Sequence, residues 1–271
     1  MVMGLELLRA FYDESGIHGD AKFCALTGFI ARPSEWERFD PAWRVALAEA
    51  GLKSFRAVDF FPRRRKPLSP RRRVCLAGLL QAASENNLVP SGAIVNTHEF
   101  QSMAYLERCY LSGALVGADD TDNLEKLAKP YYLAFHHCLA HAASIAKPGE
   151  KVEFVFAQQW EFRDQAFKVF WKVASDLPPE VRARIGGCMF KEMEDIGPPL
   201  EVADLLAHCW FAHMQYGAAE NSVDREHALD RLMVEPGWLH RYGKADFEML
   251  MDRGLSPDQR ALLRGEVTSG I

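Results

Sequence analysis

The order of apolar segments in this chain predicts an α/β layered fold that opens with an antiparallel hairpin. Two observations carry that expectation. Leu5 to Tyr12 and Lys22 to Ala31 are apolar runs of strand length, joined by a turn-like Ser15 to Asp20 stretch with Gly16 and Gly19. Beyond them, strand-length runs alternate with segments of helical periodicity, as helices layered on a sheet require.

The elements follow in order. Ser34-x-x-Glu37 is a capping-box pattern, and Trp36, Phe39, Trp43 and Leu47 continue at helical spacing until Gly51. Phe61 to Arg73 reads as a Pro- and Arg-rich connector, with a helix starting at Ser69-Pro70 and running to about Asn86. Val89 to Asn96 reads as a strand, Glu99 to Ser112 as helix, and Gly117 to Asn123 as a polar, acidic break. Pro130 opens a helix through Ile145, which Lys147-Pro148-Gly149 stops. Val152 to Phe156 is a short strand, Phe162 to Ser175 a helix, Gly187 to Lys191 a strand and Pro199 to Tyr216 a helix. After Gly217 the chain turns polar, with short helices expected at Val223 to Met233 and Pro257 to Gly265. This gives one domain over 1–217 with a helical insertion around 34–87, and a C-terminal helical extension over 218–271 that could mediate a homodimer.

Composition narrows the function. A chain of 271 residues with 48% hydrophobic content can bury a sizeable core. A net charge of -5 means that any nucleic-acid binding must come from a local patch. The six cysteines show no C-x-x-C spacing and sit in apolar contexts, so they read as reduced core thiols of a cytoplasmic protein. Glu6 and Arg9 interrupt the first apolar run, so no signal peptide is expected, and no stretch is long enough for a membrane partner or span. Phosphate-loop, dinucleotide-binding and nucleophile-elbow patterns are missing, which removes support for motor, dehydrogenase and serine hydrolase classes.

Acids embedded in apolar segments are the main chemical clue. The first strand runs into Tyr12-Asp13-Glu14-Ser15-Gly16, and Pro198-Pro199-Leu200-Glu201-Val202-Ala203-Asp204 opens a strongly apolar helix. A buried carboxylate without a partner costs several kcal/mol, so it needs a cation, a metal or dense hydrogen bonding. Side chains alternate along a strand, so Asp13 and Glu14 point to opposite faces unless the chain already turns; Asp13, sharing the face of Phe11, is the preferred ligand. On the helix, Leu200, Ala203, Asp204, Ala207, His208 and Phe211 share a face, the alanines allow close approach to a sheet, and His208 follows Asp204 at i+4, where it could orient the carboxylate or contact a phosphate. The competing structural reading is an Asp in a first helical turn, favoured by the macrodipole.

These two motifs, with a second strand ending near Gly28-Phe29-Ile30, resemble the bacterial and phage family called domain of unknown function 3800, over roughly Leu5 to Tyr216. The resemblance implies a ribonuclease H-like mixed sheet flanked by helices, and metal-dependent hydrolysis of RNA or DNA. It puts Asp13 and Asp204 at the metal-binding acids for Mg or Mn, and Glu14 at the second acid of the first motif. Glu201 stands where the family more often has Gln. The family's middle strand often ends in F-D-E-Q, whereas this chain reads Phe156-Ala157-Gln158-Gln159, so both acids are replaced. A two-metal mechanism needs several carboxylates around ions about 3.5–4 Å apart. The departure leaves three readings: a single metal, a site rebuilt with Glu161, or a non-catalytic binding module of the same fold for nucleic acid or a protein partner in a phage-defence role. Asp59, after Arg56 in the place of an expected His, is a lesser candidate near the site.

Arg63, Arg64, Arg65, Lys66, Arg71, Arg72 and Arg73 put seven positive charges in eleven residues. Arginines suit phosphate oxygens, so this run is the candidate nucleic-acid contact; the competing reading is a solvated loop and helix start. His137 and His141 have metal-pair spacing, but the Glu of H-E-x-x-H is missing and Tyr132, Phe135, Cys138 and Leu139 make that helix read as core.

Overall fold

The computed structural model describes residues 6–17, 20–61, 66–113, 128–218, 221–233 and 238–264. Strands β1 (Glu6–Ser15) and β2 (Phe23–Ala31) form the expected antiparallel hairpin. Helices α1 (Pro33–Glu49), α2 (Ala57–Phe60) and α3 (Pro70–Glu85) separate β2 from β3 (Val89–Asn96). Then come α4 (Thr97–Gln101), α5 (Tyr105–Leu111), α6 (Pro130–Ile145), β4 (Glu150–Ala157), α7 (Arg163–Asp176), α8 (Pro179–Arg182) and β5 (Ile185–Lys191). The chain continues with α9 (Met193–Ile196), α10 (Pro198–Tyr216), α11 (Val223–Leu232), β6 (Trp238–Tyr242), α12 (Lys244–Gly254) and α13 (Pro257–Leu263).

The strands make one mixed sheet in the order β5-β4-β1-β2-β3-β6. β1, β2 and β3 run antiparallel to one another in turn, β4 lies parallel to β1 and to β5, and β6 lies parallel to β3. Strand alternation divides the core into two layers. Phe11, Ala25, Phe29, Ile94 and Val155 pack with α1, α3, α10 and α11 on one face. Leu8, Ala10, Tyr12, Leu26, Val95, Phe154 and Phe156 pack with α5, α6, α7 and α12 on the other. Helix α10 lies directly on β1 and β2, which brings Asp204 to the end of β1.

Local chemistry moves several expected boundaries. The box at the start of α1 closes on Glu35, whose carboxylate accepts from the Arg32 N–H at 2.7 Å, rather than on Ser34 and Glu37. Pro33 takes the first helical position, where a missing N–H costs nothing. The Glu99 to Ser112 stretch is two helices, because the Glu107 carboxylate accepts from the Ala104 N–H at 3.1 Å and starts a second one. The segment after Gly217, read as helical, also supplies β6, and α11 packs on α10 and α3. The Gly117 to Asn123 break lies outside the described residues. All six cysteines are free thiols, five of them buried. Among the described residues no helix is long and apolar enough to cross a membrane.

Candidate functional site

β1 and β4 run parallel and end together, and the acids gather at that end. Asp13 is 6% exposed, on the face that α10 covers, with Thr27 opposite it in register. Its Oδ1 accepts the Glu14 N–H at 2.9 Å. Burial first, then the carboxylates of Glu14 and Asp204, push the Asp13 carboxyl well above the usual carboxylate range. Asp204, on the second turn of α10, accepts the Ala57 N–H at 2.7 Å from the start of α2. Burial raises it to about 6, the Ala57 bond and Arg56 oppose the rise, and Asp59 adds to it.

Glu14 is half-buried at the strand end, between the two layers. Burial pushes its carboxyl up to about 8; the Gln159 amide, whose Nε2 donates to Glu14 Oε1, opposes that, and Asp204 reinforces it. On the other side Glu14 raises the phenol of Tyr131, although burial is the larger cause there. The strand alternation argued from sequence therefore holds in part. Asp13 faces α10, while Glu14 leaves the strand between the layers and feels both.

Among the described residues the positive charge near these acids is small. Arg56 lowers both Asp13 and Asp204, but its guanidinium is committed to Glu194 at 2.7 Å and is about half exposed. Three carboxyl groups thus share a region of low dielectric with one partly solvated cation among the described residues. Around them, Thr27 Oγ1 and Tyr131 OH are buried without a hydrogen-bond partner among the described residues. Such orphaned groups call for an ion or water to satisfy them.

Other expected residues lie elsewhere. Glu161 does not join the acids: it sits exposed in the turn after β4 and pairs with Lys129. Gln159, two residues earlier, points inward instead, and its contact with Glu14 was missed because an amide offers no charge signal in a sequence. His208 does not orient Asp204. Its ring stacks on Phe61 at 5.5 Å and its Nε2 accepts from Arg225 at 3.1 Å. Burial, aided by Arg225, lowers it to about 4, so it is a neutral packing group that ties α10 to α11. Glu201 is 4% exposed and accepts the Trp43 indole N–H at 2.7 Å, a structural role between α10 and α1. His137 and His141 stack on one another at 5.7 Å and bond to Tyr242 and Ser91, consistent with core packing.

Part of the basic run is also structural. Arg72 donates to the Phe60 carbonyl at 2.6 Å, and Arg73 pairs with Asp224 at 3.0 Å. Lys66 and Arg71 are exposed, and Arg63, Arg64 and Arg65 lie outside the described residues.

The fit of a divalent cation divides in two. The donor chemistry suits Mg or Mn: oxygen ligands, surplus negative charge and orphaned polar atoms beside them. The placement is not a ready cage, because among the described residues no three His, Cys, Asp or Glu side chains are positioned to hold one ion. Magnesium does not demand one, since it is commonly bound by one or two carboxylates with waters and substrate phosphates completing the shell. No family model, no curated protein and no solved structure matches this chain.

Proposed function

We propose that this chain is a ribonuclease H-like phosphodiesterase that binds Mg or Mn through Asp13 and Asp204 and hydrolyses RNA or DNA. The observation that carries the reading is the convergence of Asp13, Glu14 and Asp204, each raised by burial and the first two also by Asp204, with Arg56 as their counter-charge among the described residues. The β3-β2-β1-β4-β5 portion of the sheet, with β2 antiparallel to its neighbours, supports the ribonuclease H-like assignment and the resemblance to the domain of unknown function 3800 family.

A bound Mg or Mn supplies charge for a phosphoryl oxygen and an acidified water. Asp13 and Asp204 would hold it from opposite elements, a strand end and a helix. Glu14, with its Oε1 fixed by Gln159, would present Oε2 as the group that gives a proton to the leaving oxygen. Lys66 and Arg71 are exposed cations suited to strand phosphates. The test is a cleavage assay on labelled RNA and DNA with added manganese. Asp13→Asn and Asp204→Asn should each abolish cleavage, and activity surviving both changes would rule out this site.

A second reading has its own support. Ala157 is an apolar, buried residue at the end of β4, and Gln158 follows it, so the end of that strand beside the acids contributes no carboxylate. In this reading the chain is a binding module of the same fold, and it is distinguished by nucleic-acid retention without metal-dependent cleavage.

A further inference from the structure

We propose that Trp160 and Arg163 form a stacking platform for an unpaired nucleobase, so that the strand led to the acidic site is single-stranded; this rests on the nucleic-acid reading above. Trp160 is 72% exposed, an unusual state for a large aromatic ring. It is not a loose surface residue. The Gln159 carbonyl accepts from the N–H groups of Phe162 and Arg163 at 3.1 and 3.0 Å, which closes a tight turn with Trp160 at its tip. One side of that turn is anchored by Phe162, 2% exposed and stacked on Tyr131 at 4.4 Å. The other is anchored by the Gln159 side chain on Glu14. Neighbouring Cα atoms are about 3.8 Å apart, so Trp160 stands one residue from a group that touches the acids.

The platform also carries charge. The Arg163 guanidinium lies over the Trp160 ring at 5.4 Å and over Phe167 at 6.0 Å, and Phe167 packs on Phe190 at 5.2 Å. The cation is thus held in a stacked column, and the indole forms its outer layer. An exposed aromatic ring with an attached cation, next to the proposed hydrolytic site, is the arrangement that binds unpaired bases without reading their sequence. Interior duplex bases already stack on both faces, so a paired strand can offer the platform only its end pairs. Trp171, also exposed at 69%, packs edge-on against Phe170 and has no comparable link to the acids. It serves as the internal control.

The test is a fluorescence titration of the native chain, in EDTA and low salt, with a mixed-sequence 20-nucleotide DNA strand, its RNA counterpart and the blunt duplex. Binding of the single strands should quench tryptophan emission. Trp160→Ala should weaken it about tenfold, the scale of one lost base stack, while Trp160→Phe keeps most of the affinity and Trp171→Ala all of it. Native affinity in Trp160→Ala, or a preference for the duplex, overturns the platform. Cleavage with manganese separates the two claims. Metal-dependent cleavage with no Trp160 effect leaves the hydrolase and removes the platform; Trp160-dependent binding with no cleavage does the reverse.

Discussion

A carboxyl group shielded from water must either share its charge with a cation or hold its proton, and the three acids at the end of β1 have little cation to share among the described residues. Asp204 is raised to about 6 and Glu14 to about 8, with burial the first cause in each. Their ordinary values are 3.8 and 4.5, so between roughly pH 4 and pH 8 these two groups bind more protons in the folded chain than in the unfolded one. The sign follows: this contribution is complete below the unfolded values and is lost as pH rises through the folded ones. Set against the upward slope in melting temperature that His136, His141 and His208 give because burial lowers each to about 4, these acids give metal-free protein a downward slope from pH 5 to pH 8. Asp204→Asn should flatten that slope, and saturating manganese should do the same by favouring the deprotonated acids. Thermal melts of the native chain and Asp204→Asn across pH check this; a pH slope left unchanged by the substitution contradicts the assigned burial.

At the scale of elements, the site depends on how closely α10 approaches the end of β1. Gly16 sets that distance. Its φ is +76°, in the left-handed region, and a Cβ there would stand 2.3 Å from both Cε2 of Phe211 and the Phe23 carbonyl oxygen. The Gly that closes Tyr12-Asp13-Glu14-Ser15-Gly16 therefore lets Phe211, two turns beyond Asp204, settle against the strand end. Gly16→Ala should cost about 1–3 kcal/mol from the backbone alone, and pushing α10 outward should weaken manganese binding as well. Urea unfolding and metal titration of the variant measure the two effects. A variant with native stability and native metal affinity would show that this contact does not set the site. Gly28 acts on the neighbouring strand, where a Cβ would fall 1.7 Å from the Phe11 carbonyl oxygen, so β1 and β2 can pair there only without a side chain.

For the molecule as a whole, readability from sequence tracks how local each signal is. The hairpin, β3 and α6 were readable because apolar periodicity and Pro130 act within a few residues. β6 was not, since Trp238–Tyr242 is a five-residue edge strand whose partner β3 lies far away in the chain. Asp13 and Asp204 were readable as acids in apolar surroundings, and the structure brings them into electrostatic reach. The turn after β4 was misread: charge pointed to Glu161, but the turn geometry sends Gln159 inward and leaves Glu161 to Lys129. His208 at i+4 from Asp204 was a sound helical-face inference, and a ring stack with Phe61 and a bond from Arg225 draw it elsewhere. Interactions such as the Ala57 N–H on Asp204 and the Arg56–Glu194 pair join distant segments, and composition gives no hint of them.

The most direct measurement is a calorimetric titration of the native chain, Asp13→Asn and Asp204→Asn with manganese and magnesium near pH 8. Uptake of metal by the native chain, with loss of that uptake in both variants while their folds stay intact, is the result expected when those two carboxylates hold one ion. No uptake at millimolar metal, or uptake unchanged in the variants, would contradict a shared cation site and with it the hydrolase.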